Sequence, residues 1–373
     1  MNNSKITSTK LILVVIFLSI FGLIMQYSAS SYNALKETGD AFFYVKKQAI
    51  SLIVAIVALF LANRIDTEKY KKYSLVIYIV SVVLLAIIFI PGLGVEKYGA
   101  RRWLNLGFFT IQPSEISKFG LMFTLAGFIS NHSVDKIKNL VISVLSMLLI
   151  CVLVMLEPNM SITMLIGIST FIMLVAGGIK LKHVLVLAIP VIIALPILIL
   201  LEPYRLKRLL AFLDPWANPR DEGFQLIQSY YALASGGLFG VGLFNSRQKY
   251  SFLPFSETDF IFAIIGEEFG FFGAVLLLLV FMYVIYLGLR IGINASTRYD
   301  TLLALGIVSI IAMQTILNIA VVTGSIPPTG LPLPFISNGG SSLVVFFFSI
   351  GILTRISKQS ENTHFLKIRH IMK

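Results

Sequence analysis

About ten apolar stretches, each near the length that crosses a bilayer as a helix, follow one another along almost the whole chain. They read as residues 11–30, 47–63, 73–90, 115–130, 138–156, 160–178, 183–201, 260–289, 301–324 and 335–355. Of the 373 residues, 57% are hydrophobic and only 13% are charged, and the mean hydropathy is +0.88. Soluble domains are about one quarter charged, so a soluble globular enzyme is excluded. The expected fold is an all-α polytopic membrane protein of about ten transmembrane helices, a single integral membrane domain over 1–373. The first run is too long for a signal-peptide core and has no clean small-residue cleavage site, so it reads as a retained span.

A net charge of +12 would suggest nucleic acid in a soluble protein, but here Lys and Arg lie mostly between the apolar runs, where they set topology. No nucleic-acid partner is expected. With both termini in the cytoplasm, the inner segments hold 17 of the 30 Lys and Arg, counting Lys373 at the end of a basic cytoplasmic tail, 357–373. Twelve lie outside, half of them in one long loop, and long loops are weak topology signals. Of the 18 acidic residues, 13 lie on or near the outer side, so both signs of charge gather at that face.

Two outer segments are too long to be simple connectors: 91–114, and the large extracytoplasmic loop 202–259 between spans 7 and 8. Their aromatic and apolar content argues for re-entrant or interfacial structure over a cavity. No short internal repeat is visible, which gives an inverted-repeat transporter no support. Cys151 is the only cysteine and the four His are scattered, so disulfides, cysteine-based metal sites and His metal clusters drop out.

Chemistry therefore has to come from charged groups at the outer face. The segment 256–270 places Glu257, Asp259, Glu267 and Glu268 at the start of a span, where a carboxylate is expensive and tends to face a cavity or a partner. Asp259 leads as the catalytic candidate; a helix cap at Thr258 or Asp259 is the plain alternative. Glu115 and Lys118, three apart after Pro113, share one helix face. They form either a structural lock or a device that keeps a nearby carboxylate ionised yet desolvated. Arg101, Arg102, Arg205, Lys207, Arg208, Arg247 and Lys249 form an outer basic set suited to phosphate contacts, with attraction to lipid headgroups as the alternative. Trp103 beside the arginine pair suits an interfacial anchor. The stretch 327–342, PPTGLPLPFISNGGSS, cannot be regular helix. Ser337, Gly339, Gly340 and Ser341 in it are candidate ligand contacts through exposed backbone NH groups, or else part of a plain turn.

GARRW from 99, IQPSE from 111, DPW from 214, FQLIQS from 224, GVGLFNSRQKY from 240, TDFIFAIIGEEFG from 258 and TGLPLPFISNGGSSL from 329 together resemble the SEDS proteins of shape, elongation, division and sporulation. The motifs stand in family order, and the forms GARRW and NSRQK look more like the FtsW and SpoVE branches than RodA. The resemblance implies a peptidoglycan glycosyltransferase in the bacterial cell membrane. Such an enzyme polymerises lipid II into a growing β-1,4 glycan strand and releases undecaprenyl pyrophosphate. It works with a class B penicillin-binding transpeptidase and other division or elongation proteins. The family's essential aspartate falls on Asp259, its Glu and Lys pair on Glu115 and Lys118, and its basic pair on Arg101 and Arg102. Asn159, Asn338 and Glu257 stand where the family usually has Asp, Tyr and His. No organic cofactor is implied, and a divalent cation, Mg or Mn, is left open. Two rival readings remain at this stage: a lipid II transporter, and a scaffold that only recruits a transpeptidase.

Overall fold

A computed structural model of the chain describes residues 3–97, 100–105, 107, 110–200 and 203–371. Lys373 and the first residue of the GARRW motif, Gly99, lie outside the described residues. The helices are α1 (Asn3–Thr38), α2 (Phe43–Arg64), α3 (Thr67–Lys72), α4 (Ser74–Ile87), α5 (Pro113–Asn131), α6 (Ile137–Leu156) and α7 (Met160–Ala176). They continue as α8 (Leu181–Leu200), α9 (Pro203–Leu213), α10 (Phe224–Gly236), α11 (Ile261–Ile293), α12 (Arg298–Val322) and α13 (Gly340–Ile371). Among the described residues six of them, α1, α2, α6, α11, α12 and α13, are long and apolar enough to cross a membrane, and α4 and α7 are shorter apolar helices. With α5 and α8 these correspond to the ten expected spans; α3 is a short helix that precedes the third of them and meets α4 at Tyr73.

Local chemistry sets the helix ends. Pro113 opens α5, where a missing N–H costs nothing. Asn159 caps α7 by accepting from the Ile162 N–H at 3.3 Å. Thr297 caps α12, accepting from the Asp300 N–H at 3.1 Å while its own hydroxyl donates to the Asp300 carboxylate at 2.8 Å. Burial separates inner from outer helices: α5 and α12 are largely buried, whereas α6 and α8 expose rows of Leu, Ile and Val. Such rows would cause aggregation in water and match a hydrocarbon surround.

Polar contacts mark two ends of the bundle. At one end Arg355 pairs with Asp66, the Arg298 guanidinium bonds Gly177 O at 3.0 Å, and Lys180 pairs with Asp135 at 2.6 Å. The other end carries the two long segments. Residues 91–114 hold a small antiparallel sheet, β1 (Gly94–Lys97), β2 (Ala100–Asn105) and β3 (Thr110–Ile111), where the sequence led us to expect re-entrant or interfacial structure. Strand pairing satisfies the backbone of the exposed stretch, and Glu96 stands opposite Arg101 in the register.

Residues 203–259 form α9, a short 3-10 turn at Pro215–Ala217, α10, and a helix-free loop docked on α11. The Val241 and Gly242 N–H groups donate to Glu267 O and Glu268 O at 3.0 Å each, and Phe271 N–H donates to Gly237 O at 2.9 Å. The Glu267 carboxylate accepts from the Ser246 hydroxyl, from Arg247 N–H at 3.0 Å and from Ser235 at 3.2 Å. Glu268 accepts from Ser28 at 2.5 Å and pairs with Lys249 at 3.4 Å. Two of the four carboxylates around the start of the eighth span thus hold the loop down. The docking needs glycine at two positions. Gly270 breaks α11 with φ 67°, and a Cβ there would lie 2.3 Å from Gly240 N; one on Gly240 would lie 2.2 Å from Glu268 O.

Gly270→Ala should therefore cost about 2 kcal/mol or more, because backbone rather than a movable side chain fills the space. Gly167→Ala, where no atom lies within 4 Å, should be neutral or slightly stabilising. Thermal unfolding of detergent-purified protein compares the two, and equal melting temperatures would contradict the docking geometry.

Candidate functional site

The site grows from the turn before α11, where Asp259 is held from behind by the irregular stretch 323–339. Asn318 of α12 donates its amide to Asp259 O at 2.8 Å and to Leu331 O at 2.7 Å, tying the turn and the stretch to one side chain. The Ser337 hydroxyl donates to Thr258 O at 2.6 Å and accepts from Leu333 N–H at 2.7 Å, and Asn338 N–H donates to Glu257 O at 3.0 Å. Gly330, with φ 74°, brings backbone against the carboxylate: a Cβ there would lie 3.3 Å from Asp259 Oδ2. A side chain at 330 would crowd the group that the stretch positions.

Asp259 is half-buried, and its pKa is pushed up to about 6. Loss of water is the largest cause; the Arg208 guanidinium opposes it, the Glu257 carboxyl adds to it, and Arg102 opposes it again. Such a group is ionised at neutral pH yet poorly solvated, the condition for a general base. Arg208, from α9, donates to Pro328 O at 3.2 Å. Arg102, from β2, donates through Nε to Glu157 O at 3.0 Å and through a terminal nitrogen to Pro158 O. Carbonyls of two separate turns therefore aim the two guanidinium groups whose fields reach Asp259.

Glu115 and Lys118 lie deeper. Lys118 Nζ is fully buried, 2.9 Å from the Glu115 carboxylate and 2.8 Å from the Gln314 side-chain oxygen, with the Phe346 ring centroid 4.8 Å away. Ser342 donates to Glu115 at 2.5 Å, and the Gln314 amide reaches Pro332 O at 2.8 Å. The pair joins α5, α12, α13 and the proline-rich stretch. The sequence reading that an ammonium here sustains the nearby carboxylate is not what the geometry gives. Lys118 is committed to Glu115 and Gln314, and the cations acting on Asp259 are Arg208 and Arg102.

The outer basic set divides. Arg101 is exposed and pairs with Glu96 at 3.4 Å, on the strand face opposite Arg102, with half-buried Trp103 beside it. Lys207 pairs with Glu222 at 3.4 Å, Arg205 meets the Met155 sulfur at 3.5 Å, and the Arg247 side chain is exposed. Lys249 is 4% exposed and bonds Phe244 O at 2.6 Å, Ser28 at 3.2 Å and Glu268 at 3.4 Å, so all three of its donors are committed. It locks the loop and is not available to an anion. Ser337 likewise is buried and structural. Gly339 donates its N–H to Gln48 at 3.3 Å, and Gly340 sits where a Cβ would meet Ser51 Oγ at 2.6 Å, so close contact with α2 accounts for Gly340. Ser341 is half-buried in the first turn of α13.

Three residues around the site, Gln48, Gln314 and Asn318, were not singled out in the sequence. The available signal was an amide within an otherwise apolar span, with Gln314 and Asn318 four apart on one face of α12. Of the unusual positions, Asn159 serves as a cap, a task Asn and Asp perform alike, and Asn338 contributes a backbone N–H.

Lys118→Met leaves a buried carboxylate without its cation and should cost about 3–5 kcal/mol. The double change with Glu115→Gln should cost clearly less. Thermal unfolding of both purified variants provides the comparison; equal losses would show that the two charges do not act as a pair.

Residues 8–362 match a family model for FtsW, RodA and SpoVE proteins, described as cell cycle protein. Stage V sporulation protein E of Bacillus subtilis is 39% identical over 96% of this chain and 99% of its own length. A probable peptidoglycan glycosyltransferase FtsW of Geobacter metallireducens is 36% identical over 95% of both chains. Among solved structures, a chain of a peptidoglycan synthase complex studied for its coordination of polymerization and crosslinking superposes with a TM-score of 0.79. It is 26% identical, over 94% of this chain and 97% of that one. The rod shape determining protein RodA of Thermus thermophilus shares the fold, with a TM-score of 0.70 at 23% identity over 94% and 96%.

Proposed function

The chain belongs to the FtsW, RodA and SpoVE family, and from that premise we propose that it is a peptidoglycan glycosyltransferase polymerising lipid II, with Asp259 as its general base. What carries the assignment of the base is a single observation: Asp259 is a partly desolvated carboxylate, pinned by backbone bonds, with two guanidinium groups acting on it from different elements.

Two lipid-linked disaccharides meet at the Asp259 end. The carboxylate takes the proton of the acceptor's 4-hydroxyl, and that oxygen attacks the donor's anomeric carbon from the face opposite the pyrophosphate. The carbon–oxygen bond to pyrophosphate breaks, and an α-linked donor yields a β-1,4 linkage. Arg102 and Arg208 hold the negative charge of the departing undecaprenyl pyrophosphate. The linkage to lipid pyrophosphate is already activated, so no nucleotide is needed. Among the described residues no three His, Cys, Asp or Glu side chains converge on a metal-sized space. A divalent cation, where one takes part, would sit on the substrate's phosphates, and no step is assigned to it.

The excess of Lys and Arg at the opposite end supports an extracytoplasmic Asp259 and cytoplasmic termini. A class B penicillin-binding transpeptidase is the proposed partner, supported by the fold's likeness to a chain of a synthase complex that couples polymerization with crosslinking.

Asp259→Asn is nearly isosteric and should insert and fold normally while polymerisation of labelled lipid II falls by at least about a hundredfold. Near-normal glycan synthesis by that variant would remove Asp259 from the mechanism, and an unmodified chain that recruits a transpeptidase but polymerises no lipid II would favour the scaffold. The pH profile gives a second test. Asp259 works when ionised, so kcat/KM should fall as pH drops through about 6. Glu257 raises the Asp259 pKa, so Glu257→Gln should move that acid limb to lower pH. An unmoved limb would mean that Asp259 does not set it.

A further inference from the structure

Glu157 is a buried acid that the mechanism above does not use. It stands between α6 and α7, 1% exposed, and neither carboxyl oxygen has a hydrogen-bond partner. Its main-chain oxygen, with that of Pro158, is what orients the Arg102 guanidinium. An ionised carboxylate in that position would cost several kcal/mol unless it drew a cation to itself. Arg205 of α9 is on the Met155 sulfur, Arg208 of α9 is on Pro328 O, and Asn159 of α7 caps its own helix. The stretch 323–339 contributes Thr329, whose carbonyl accepts from Ser161 and whose buried hydroxyl has no partner. Arg102 is the charged group whose field opposes the burial of Glu157, and it also acts on Asp259.

Resting on the function proposed above, we propose that Glu157 is a positioning residue that controls how much of the Arg102 charge is offered to the substrate's pyrophosphate. As a neutral acid it leaves the guanidinium, aimed by two carbonyls, facing the anion. As a carboxylate it competes with the phosphates for the same guanidinium. Burial raises the Glu157 pKa to about 8, with Arg102 opposing, so the neutral form prevails at neutral pH and is lost as pH rises through that value. Anion binding should then weaken on the alkaline side, the opposite direction from the acid limb set by Asp259.

The test uses the detergent-purified full chain and inorganic pyrophosphate as probe, with calorimetric Kd values at pH 7 and pH 9. Ionisation of the probe is common to all proteins compared. Relative to Glu157→Gln, the unmodified protein should lose about tenfold in affinity between the two pH values. In an Arg102→Ala background the Glu157→Gln change should make no difference to the pH dependence. Thermal unfolding of each variant confirms that folded protein is compared. The KM for lipid II should show the same alkaline rise, absent in Glu157→Gln, while kcat is shared by both. The proposal is overturned if both proteins show the same pH dependence, if the effect persists without Arg102, or if pyrophosphate does not bind at either pH. These binding measurements do not depend on turnover, so an inactive polymerase would count against the proposed reaction and leave the Glu157 result readable.

Discussion

Hydrocarbon offers no water to a free N–H or C=O, and that constraint organises this molecule from its spans to its site. It makes the apolar runs helical, and it governs the irregular parts just as strongly. The loop after α10 is tolerated because α11 takes up its amides: Val241 and Gly242 donate to main-chain oxygens of Glu267 and Glu268, and the break at Gly270 frees Phe271 N–H for Gly237 O. The stretch before α13 is tolerated because Asn318, Ser337, Gln314 and Gln48 serve as its hydrogen-bond partners. A rigid site follows from this satisfaction. The bonds that make the irregular backbone affordable are the same ones that fix Asp259.

Charge is sorted by the same rule. Lys118 and Lys249 are buried and fully bonded, which closes the bundle and pins the loop. Arg102 and Arg208 are half-buried, and each donates to main-chain carbonyls. A cation aimed by neutral acceptors retains its charge for an anionic substrate, whereas one in an ion pair does not. Cations of one formal class thus serve two purposes, divided by what surrounds them.

Much was legible in the sequence because bilayer physics writes itself into composition. The all-α polytopic class, about ten spans, the two outer segments and the prominence of Asp259 follow from run length, charge placement and motif order. The sheet in 91–114 was not legible, because strand pairing is a relation between β1 and β2 that no single short stretch announces. Nor was the division of the basic set. Arg101 and Arg102 are neighbours in sequence, yet the two-residue period of a strand sends them to opposite faces, one toward Glu96 and one toward the 157–158 turn.

The sequence by itself determined that this chain lives in a membrane as a helical bundle, which residues could carry charge there, and the family to which its motifs point. Only the tertiary structure decided what each charge does. It tied the Glu115–Lys118 pair to Gln314 and Ser342 and Lys249 to Ser28, turned Gly340 toward α2, and left Arg102 and Arg208 acting on Asp259. The physical reason is range. Hydropathy is a property of a run of residues and survives in the linear order, whereas a pKa, an ion pair or a buried oxygen without a donor depends on groups tens to hundreds of positions apart meeting within a few ångströms.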